Sequence, residues 1–294
     1  MSVEISKPAS QTSDETVEVP VRRISFGDGM AALDRHFAGG GDLLTSHLLA
    51  ALSSLFPDGE DFFVRSVRHY RDRVTDPHLR RQVKGFIGQE ALHGREHRIF
   101  NERLAELGYP TRAVGRIVKT SGELRTRRAP AIANLAITAA LEHFTATLAE
   151  VVLQSPELRD TGGAQVVTDL FTWHALEEAE HKAVAFDVYR AVGGSERLRI
   201  WTMRTIRPGL TAFVALIMSV SLARDPAARR PTRLRESWRY FRENPLITRE
   251  VWKRLKDYDR RGFHPDDHDT TALVSEWRDR LFGSDGELNT RLAA

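Results

Sequence analysis

Two Glu-x-x-His motifs, Glu90 with His93 and Glu178 with His181, each follow a lone glutamate at a helix-loop-helix distance. Glu60 stands 30 residues before Glu90, and Glu142 stands 36 before Glu178. Residues i and i+3 of a helix share a face, so each motif aims a carboxylate and an imidazole at one point. One such pair is weak evidence, because 21 Glu and 11 His in 294 residues yield about one by chance. The order Glu, ExxH, Glu, ExxH is more demanding: it is the ligand order of carboxylate-bridged dimetal bundles, and it requires four helices to turn these faces inward together.

The rest of the chain can supply those helices. Glycine and proline divide it into long segments with helical periodicity, while strand-like alternation between hairpin turns is nearly absent, so the fold class is all-α. A helix over about Leu43–Phe56 is expected to stop at Pro57-Asp58-Gly59, and a second begins at Glu60 with Asp58 as N-cap. Asp76 and Pro77 start a long helix that ends near Gly108 and Pro110. After a linking stretch, Pro130 opens a helix to Leu153, and a fourth runs from about Ala164 to Val192, ending at Gly193-Gly194. The expected architecture is a ferritin-like four-helix bundle over residues 23–223. It is preceded by a disordered lead-in over 1–22 and followed by a charged accessory helical segment over 224–294, packed on the bundle through Trp238, Phe241, Trp252, Tyr258 and Trp277.

With no cysteine in the chain, disulfides, thiolate zinc sites and iron-sulfur clusters are excluded, and any metal must sit on imidazole and carboxylate. The candidate ligands are Glu60, Glu90, His93, Glu142, His174, Glu178 and His181. At 100° per residue His174 falls about 40° from Glu178, and His97 falls about 20° from Glu90, so both point inward with the motifs. Glu142 also lies among Ile137, Leu141, Phe144 and Leu148, where a carboxylate without a cation is expensive to bury. One ion is assigned to Glu60, Glu90 and His93 and the other to Glu142, Glu178 and His181, with His174 added to one of them and Glu90 and Glu178 as bridges. Glu177 and Gln89, each preceding a motif glutamate, are placed to hydrogen-bond the opposite helix's histidine, Glu177 to His93 in particular. His97 is left open between ligand, outer support and packing. No catalytic residue beyond the metal centre is assigned. The run His264-Pro-Asp-Asp-His268-Asp269 has metal-like composition but reads as turn and cap chemistry.

The segments Trp173-His174-Ala-Leu-Glu177-Glu178-Ala-Glu180-His181-Lys182, Gln89-Glu90-Ala-Leu-His93-Gly-Arg-Glu96-His97 and Phe56-Pro-Asp-Gly-Glu60-Asp-Phe-Phe63 resemble a bacterial family described as predicted metal-dependent hydrolases. The likeness covers most of the chain after residue 20. The ligand pattern is also similar to that of di-iron arylamine N-oxygenases, whose last helix carries HxxxExxH, here His174, Glu178 and His181. That match concerns ligands alone, so no substrate transfers with it. These resemblances imply a centre of two metal ions, iron first, with manganese or zinc as alternatives. As di-iron chemistry it is an oxygenase or oxidase using O₂ and a separate electron donor on a small organic substrate, an apolar one included. As dizinc or dimanganese chemistry it is a metal-dependent hydrolase, and a non-enzymatic iron-binding protein is the third reading.

Partners are constrained less. The basic clusters carry no recognised nucleic-acid fold, so no nucleic acid is expected. The N-terminal stretch lacks the basic start and apolar run of a signal peptide, so the protein is expected to be cytoplasmic. Gly209–Ala223 is nearly all apolar but too short to span a bilayer, so burial is the expectation, with peripheral membrane contact as the alternative. A homodimer is left open.

Overall fold

The computed structural model describes residues 19–159 and 163–293, and the expected lead-in over 1–22 lies outside these except for its last four residues. The helices are α1 (Gly27–Met30), α2 (Leu43–Ser53), α3 (Phe56–Tyr70), α4 (Pro77–Glu106), α5 (Thr111–Arg128), α6 (Ala131–Gln154), α7 (Pro156–Arg159), α8 (Gln165–His181), α9 (Val184–Ala191), α10 (Glu196–Ala223), α11 (Pro231–Phe241), α12 (Arg249–Asp257) and α13 (Thr271–Phe282). The fold is all-α. Among the described residues the only sheet-like pairing is a single bridge between Ile24 and Leu292.

Four helices carry the two ExxH motifs and their partner glutamates, and they pack on one another: α3 on α4, α6 on α8, α3 on α6 and α4 on α8. Local chemistry explains α4. The Asp76 side chain accepts from the His78 and Leu79 amides at 3.1 and 3.0 Å, and Pro77 occupies the first turn, where its missing N–H costs nothing. At the other end Gly108 takes φ +95°, letting the Tyr109 amide reach the Leu104 carbonyl at 3.0 Å and satisfy a terminal acceptor. α6 is apolar nearly all round, as a helix enclosed by others must be, and α3, α8, α9, α10 and α12 pack against it. On α8 the whole run Thr172–His181 is buried, five ionisable side chains included.

Several boundaries differ from the sequence expectation. Pro57-Asp58-Gly59 is not a loop but the first turn of α3, since proline is tolerated there, and Leu55 rather than Asp58 sits at the N-cap. The stretch after Pro110 is helical α5. It buries only Thr111, Val114 and Gly122, which is why it lacked a strong apolar stripe. The expected helix from Ala164 to Val192 is two helices, α8 and α9. Between them Lys182 (φ −48°, ψ −27°) and Ala183 (φ −94°, ψ −17°) stay in the right-handed helical region, so the break is a local interruption of the helix rather than a loop.

The apolar stretch Gly209–Ala223 also needs correcting. It is the second half of the 28-residue α10, which runs through Pro208 and is about 42 Å long at 1.5 Å per residue. By length and composition both α6 and α10 could cross a membrane; 61% of the apolar window is buried in α6 but only 17% in α10, against the expectation of burial. Trp201, Leu216 and Val220 are exposed on α10. The helices after Arg224 pack on the rest: α11 on α2, α12 on α6 and α13 on α8.

Leu170 on α8 is fully buried in the cluster with Phe100, Trp173 and Trp277. Leu170→Ala is expected to lower stability by about 2–5 kcal/mol, read as a lower urea midpoint with an unchanged slope.

Candidate metal centre

α3 contributes Glu60, α4 contributes Glu90 and His93, α6 contributes Glu142, and α8 contributes His174, Glu178 and His181. The structure brings all seven together, each no more than 4% exposed. Glu178 Oε1 lies 3.0 Å from His174 Nε2, 3.7 Å from His181 Nε2 and 3.8 Å from His93 Nδ1. Glu90 Oε1 lies 3.1 Å from His181 Nε2 and 3.5 Å from His93 Nδ1. Glu90 and Glu178 therefore occupy the middle. Glu60 stands with His174 at one end, 3.7 Å apart, and Glu142 stands with His181 at the other, 3.3 Å apart. Three triads have donor atoms within 4.8 Å of one another: Glu60, His93 and His174; Glu90, His93 and Glu178; Glu90, Glu142 and His181. His174, left unassigned by the sequence, thus groups with Glu60. Gly94 on α4 faces this end of α3, where an added Cβ would lie in ordinary contact, 3.4 Å from Glu60 Oε2.

The outward hydrogen bonds of the imidazoles define which nitrogen faces in. Gln89 donates its amide to Glu180 Oε2 at 2.8 Å, so its oxygen accepts from His181 Nδ1 at 2.8 Å. His93 Nε2 donates to Glu177 Oε2 at 3.0 Å, as the sequence led us to expect. Asn101 Nδ2 donates to the Ser53 carbonyl, so its Oδ1 accepts from Ser53 Oγ. Ser53 Oγ must then accept from His97 Nδ1 at 2.8 Å, and His97 Nε2 accepts from His174 Nδ1 at 2.7 Å. This settles the geometry of His97, which faces His174 rather than the carboxylates. Each of His93, His174 and His181, in its neutral form, thereby turns a lone pair toward four carboxylates.

Lone pairs facing lone pairs in a buried space repel unless a cation lies among them. Both oxygens of Glu60, Glu90 and Glu142, Oε2 of Glu178, Nδ1 of His93 and Nε2 of His181 are buried without a hydrogen-bond partner. His181 Nε2 is close to two carboxylates but not aligned with either for a hydrogen bond. Titration reflects the crowding: burial and the neighbouring Glu90 charge push Glu142 up to about 8, and raise Glu60 as well. Burial opposes charge on His93, but its bond with Glu177 and the nearby Glu90 charge outweigh that and carry it up to about 10. Burial and the His93 charge hold His174 below its ordinary value. With no other cation, protons on His93 and His181 balance the carboxylates, and a metal ion would replace them. The donor set, oxygen and imidazole without sulfur, suits iron, manganese or zinc.

Residues that sequence reasoning missed form the outer support. Arg22 donates to Glu177 at 3.0 Å and to both oxygens of Glu180, at 2.6 and 2.9 Å, while Arg278 reaches Glu180 at 2.5 Å. Glu177 and Glu180 repeat the i, i+3 spacing one residue ahead of Glu178 and His181. That signal was present in the sequence, but Arg22 lay in the expected lead-in and Arg278 some hundred residues beyond. A second cluster, His36, His47 and Asp225, differs in kind. Asp225 is bonded by Arg35, His36, His47 and the Ala227 amide, His47 also pairs with Ser221 and His36 with Arg233, so its donors are already satisfied by the protein. The His264 run forms a short 3-10 turn with His264 and Asp267 as reciprocal caps, as turn chemistry predicted.

An apolar cavity of about 830 Å³ adjoins the centre, reaching Glu60 between α2, α3, α6, α10 and α12.

His97→Ala is expected to weaken metal binding by about 10–100-fold, since it frees the ring of His174, whereas His36→Ala leaves metal binding unchanged. Binding is expected to weaken as pH falls, first below about 10, where a proton competes for His93, and further below about 8, where one competes for Glu142. A competition titration against a chromophoric chelator measures all three.

No curated protein and no solved structure gives a significant match to the chain. The family whose description reads "Predicted metal-dependent hydrolase" matches residues 20–269, a span that contains every residue of the centre. The chain belongs to that family of predicted metal-dependent hydrolases.

Proposed function

We propose that Glu60, Glu90, His93, Glu142, His174, Glu178 and His181 hold two metal ions at the heart of a ferritin-like bundle of α3, α4, α6 and α8, and that the chain is a metalloenzyme acting on a small organic molecule. The observation that carries this is the set of buried inward donor atoms with no partner in the protein. Bound ions would supply Lewis acidity for hydrolysis or, as iron, electrons for the reduction of O₂. The protein's own residues do the rest. Glu177, Gln89 and His97 hold the imidazole rings, Arg22 and Arg278 hold the outer carboxylates, and the packed helices exclude water.

Hydrolysis is the chemistry that the family description favours. The cavity favours oxidation by a di-iron centre with electrons from a separate donor. Its lining contains no His or Asp, Glu60 is its one carboxylate, and its two lysines, Lys253 and Lys256, stand exposed at the rim, so no separate acid stands at the inner wall to protonate a leaving group.

Metal content by mass spectrometry, with Glu90→Ala and Glu178→Ala as controls, is the test. About two equivalents of metal per chain are expected, lost in both variants. Iron with O₂ uptake on reduction supports oxidation, and zinc or manganese with ester or amide cleavage supports hydrolysis. Well-folded protein that takes up none of these metals would overturn the centre itself.

A further inference from the structure

The cavity beside Glu60 is unequal at its two ends. Its inner wall is made by the buried Phe63 and Glu60 with the half-buried Phe144, Leu148 and Val214, whereas its rim carries three exposed cations, Arg249, Lys253 and Lys256, all on α12. Their spacing of four and then three residues places them on one helical face. The cations have little to neutralise them locally. Lys253 lies 4.0 Å from Glu250, and among the described residues neither Arg249 nor Lys256 has an ion pair. A basic helix face is usually only solvated, but this one borders an apolar cavity whose volume, about 830 Å³, falls within the range of ligand sites, about 300–1,000 Å³.

We propose that the cavity binds a single-chain amphiphile with an anionic head, such as a fatty carboxylate, with the head at Arg249, Lys253 and Lys256 and the hydrocarbon chain running inward toward Glu60. This rests on the metalloenzyme reading and names the substrate class for it. Apolar walls exclude a charged group from the interior, since an unpaired charge there would be expensive, so the head stays at the rim and hydrocarbon lies nearest the centre. An ammonium head would meet three like charges.

Gly59 offers a probe that leaves the ligands alone. It lines the cavity, and a Cβ built on it meets nothing within 4 Å, so Gly59→Leu starts a side chain there without a clash at Cβ and replaces a glycine inside a helix.

The experiment is isothermal titration of metal-loaded protein with octanoate, decanoate and dodecanoate, and with dodecylammonium as the control of opposite charge. Affinity is expected to rise about fourfold per added methylene until the cavity is filled. Dodecylammonium should bind more weakly than dodecanoate by about tenfold, because three exposed charge contacts contribute a few-fold each. The triple variant R249E/K253E/K256E, all at exposed positions, should lose about the same factor for dodecanoate, and Gly59→Leu should weaken dodecanoate more than octanoate. Dodecanoate that fails to bind, or binds equally well to the triple variant, or no better than dodecylammonium, overturns the proposal. Metal content measured on the same samples separates the two readings. Absent dodecanoate binding with two ions in place refutes this assignment alone, whereas charge-selective dodecanoate binding to a chain that takes up no metal refutes the metal centre and leaves the amphiphile site standing.

Discussion

Four carboxylates and three imidazoles meet in a buried space, and much of the surrounding structure answers to that concentration of buried charge. A single unpaired carboxylate inside a protein is a large expense; four within a few ångströms are tolerable only with cations among them. The protein ties the outward nitrogen of each imidazole to Glu177, His97 or Gln89. The inward lone pairs are left converging, and protons or metal ions are the species that can occupy that convergence.

The outer support links this centre to both ends of the described chain. Arg22 precedes α1 and Arg278 lies on α13, yet both meet at Glu180 on α8. The two ends also pair with each other: the Ser25 amide donates to the Arg291 carbonyl at 3.2 Å, and Ala293 donates to Arg23 at 2.7 Å. The terminal segments thus close over the side of α8 that bears Glu177 and Glu180, shielding the bonds that orient His93 and His181. Imidazole orientation, and with it the position of each lone pair, depends on contacts between residues as far as 158 positions apart.

On the opposite side the chain is more open. α10 is long and apolar yet mostly uncovered, and with α12 it forms one wall of the cavity that reaches Glu60. The molecule is therefore asymmetric about its centre, with a charged, tightly bonded support on one side and a hydrocarbon-lined approach on the other. The support holds positions; the approach governs what can arrive.

Helical periodicity, the proline and glycine boundaries and the order of Glu60, Glu90-His93, Glu142 and Glu178-His181 made the all-α class and the seven converging side chains legible in the sequence, because i, i+3 geometry on a helix is local and follows from backbone pitch alone. Glu177 was legible for the same reason. The helical state of Pro57-Asp58-Gly59 was not, since proline and glycine signal a break unless packing favours the helix, and α5 was hidden by its polar composition. The exposure of α10 was also beyond reach: an apolar helix is buried or bare according to what the rest of the chain leaves to cover it. Arg22, Arg278 and the choice of His97 as support for His174 were decided only by tertiary structure, because they depend on which distant segments pack together, and no local spacing encodes that.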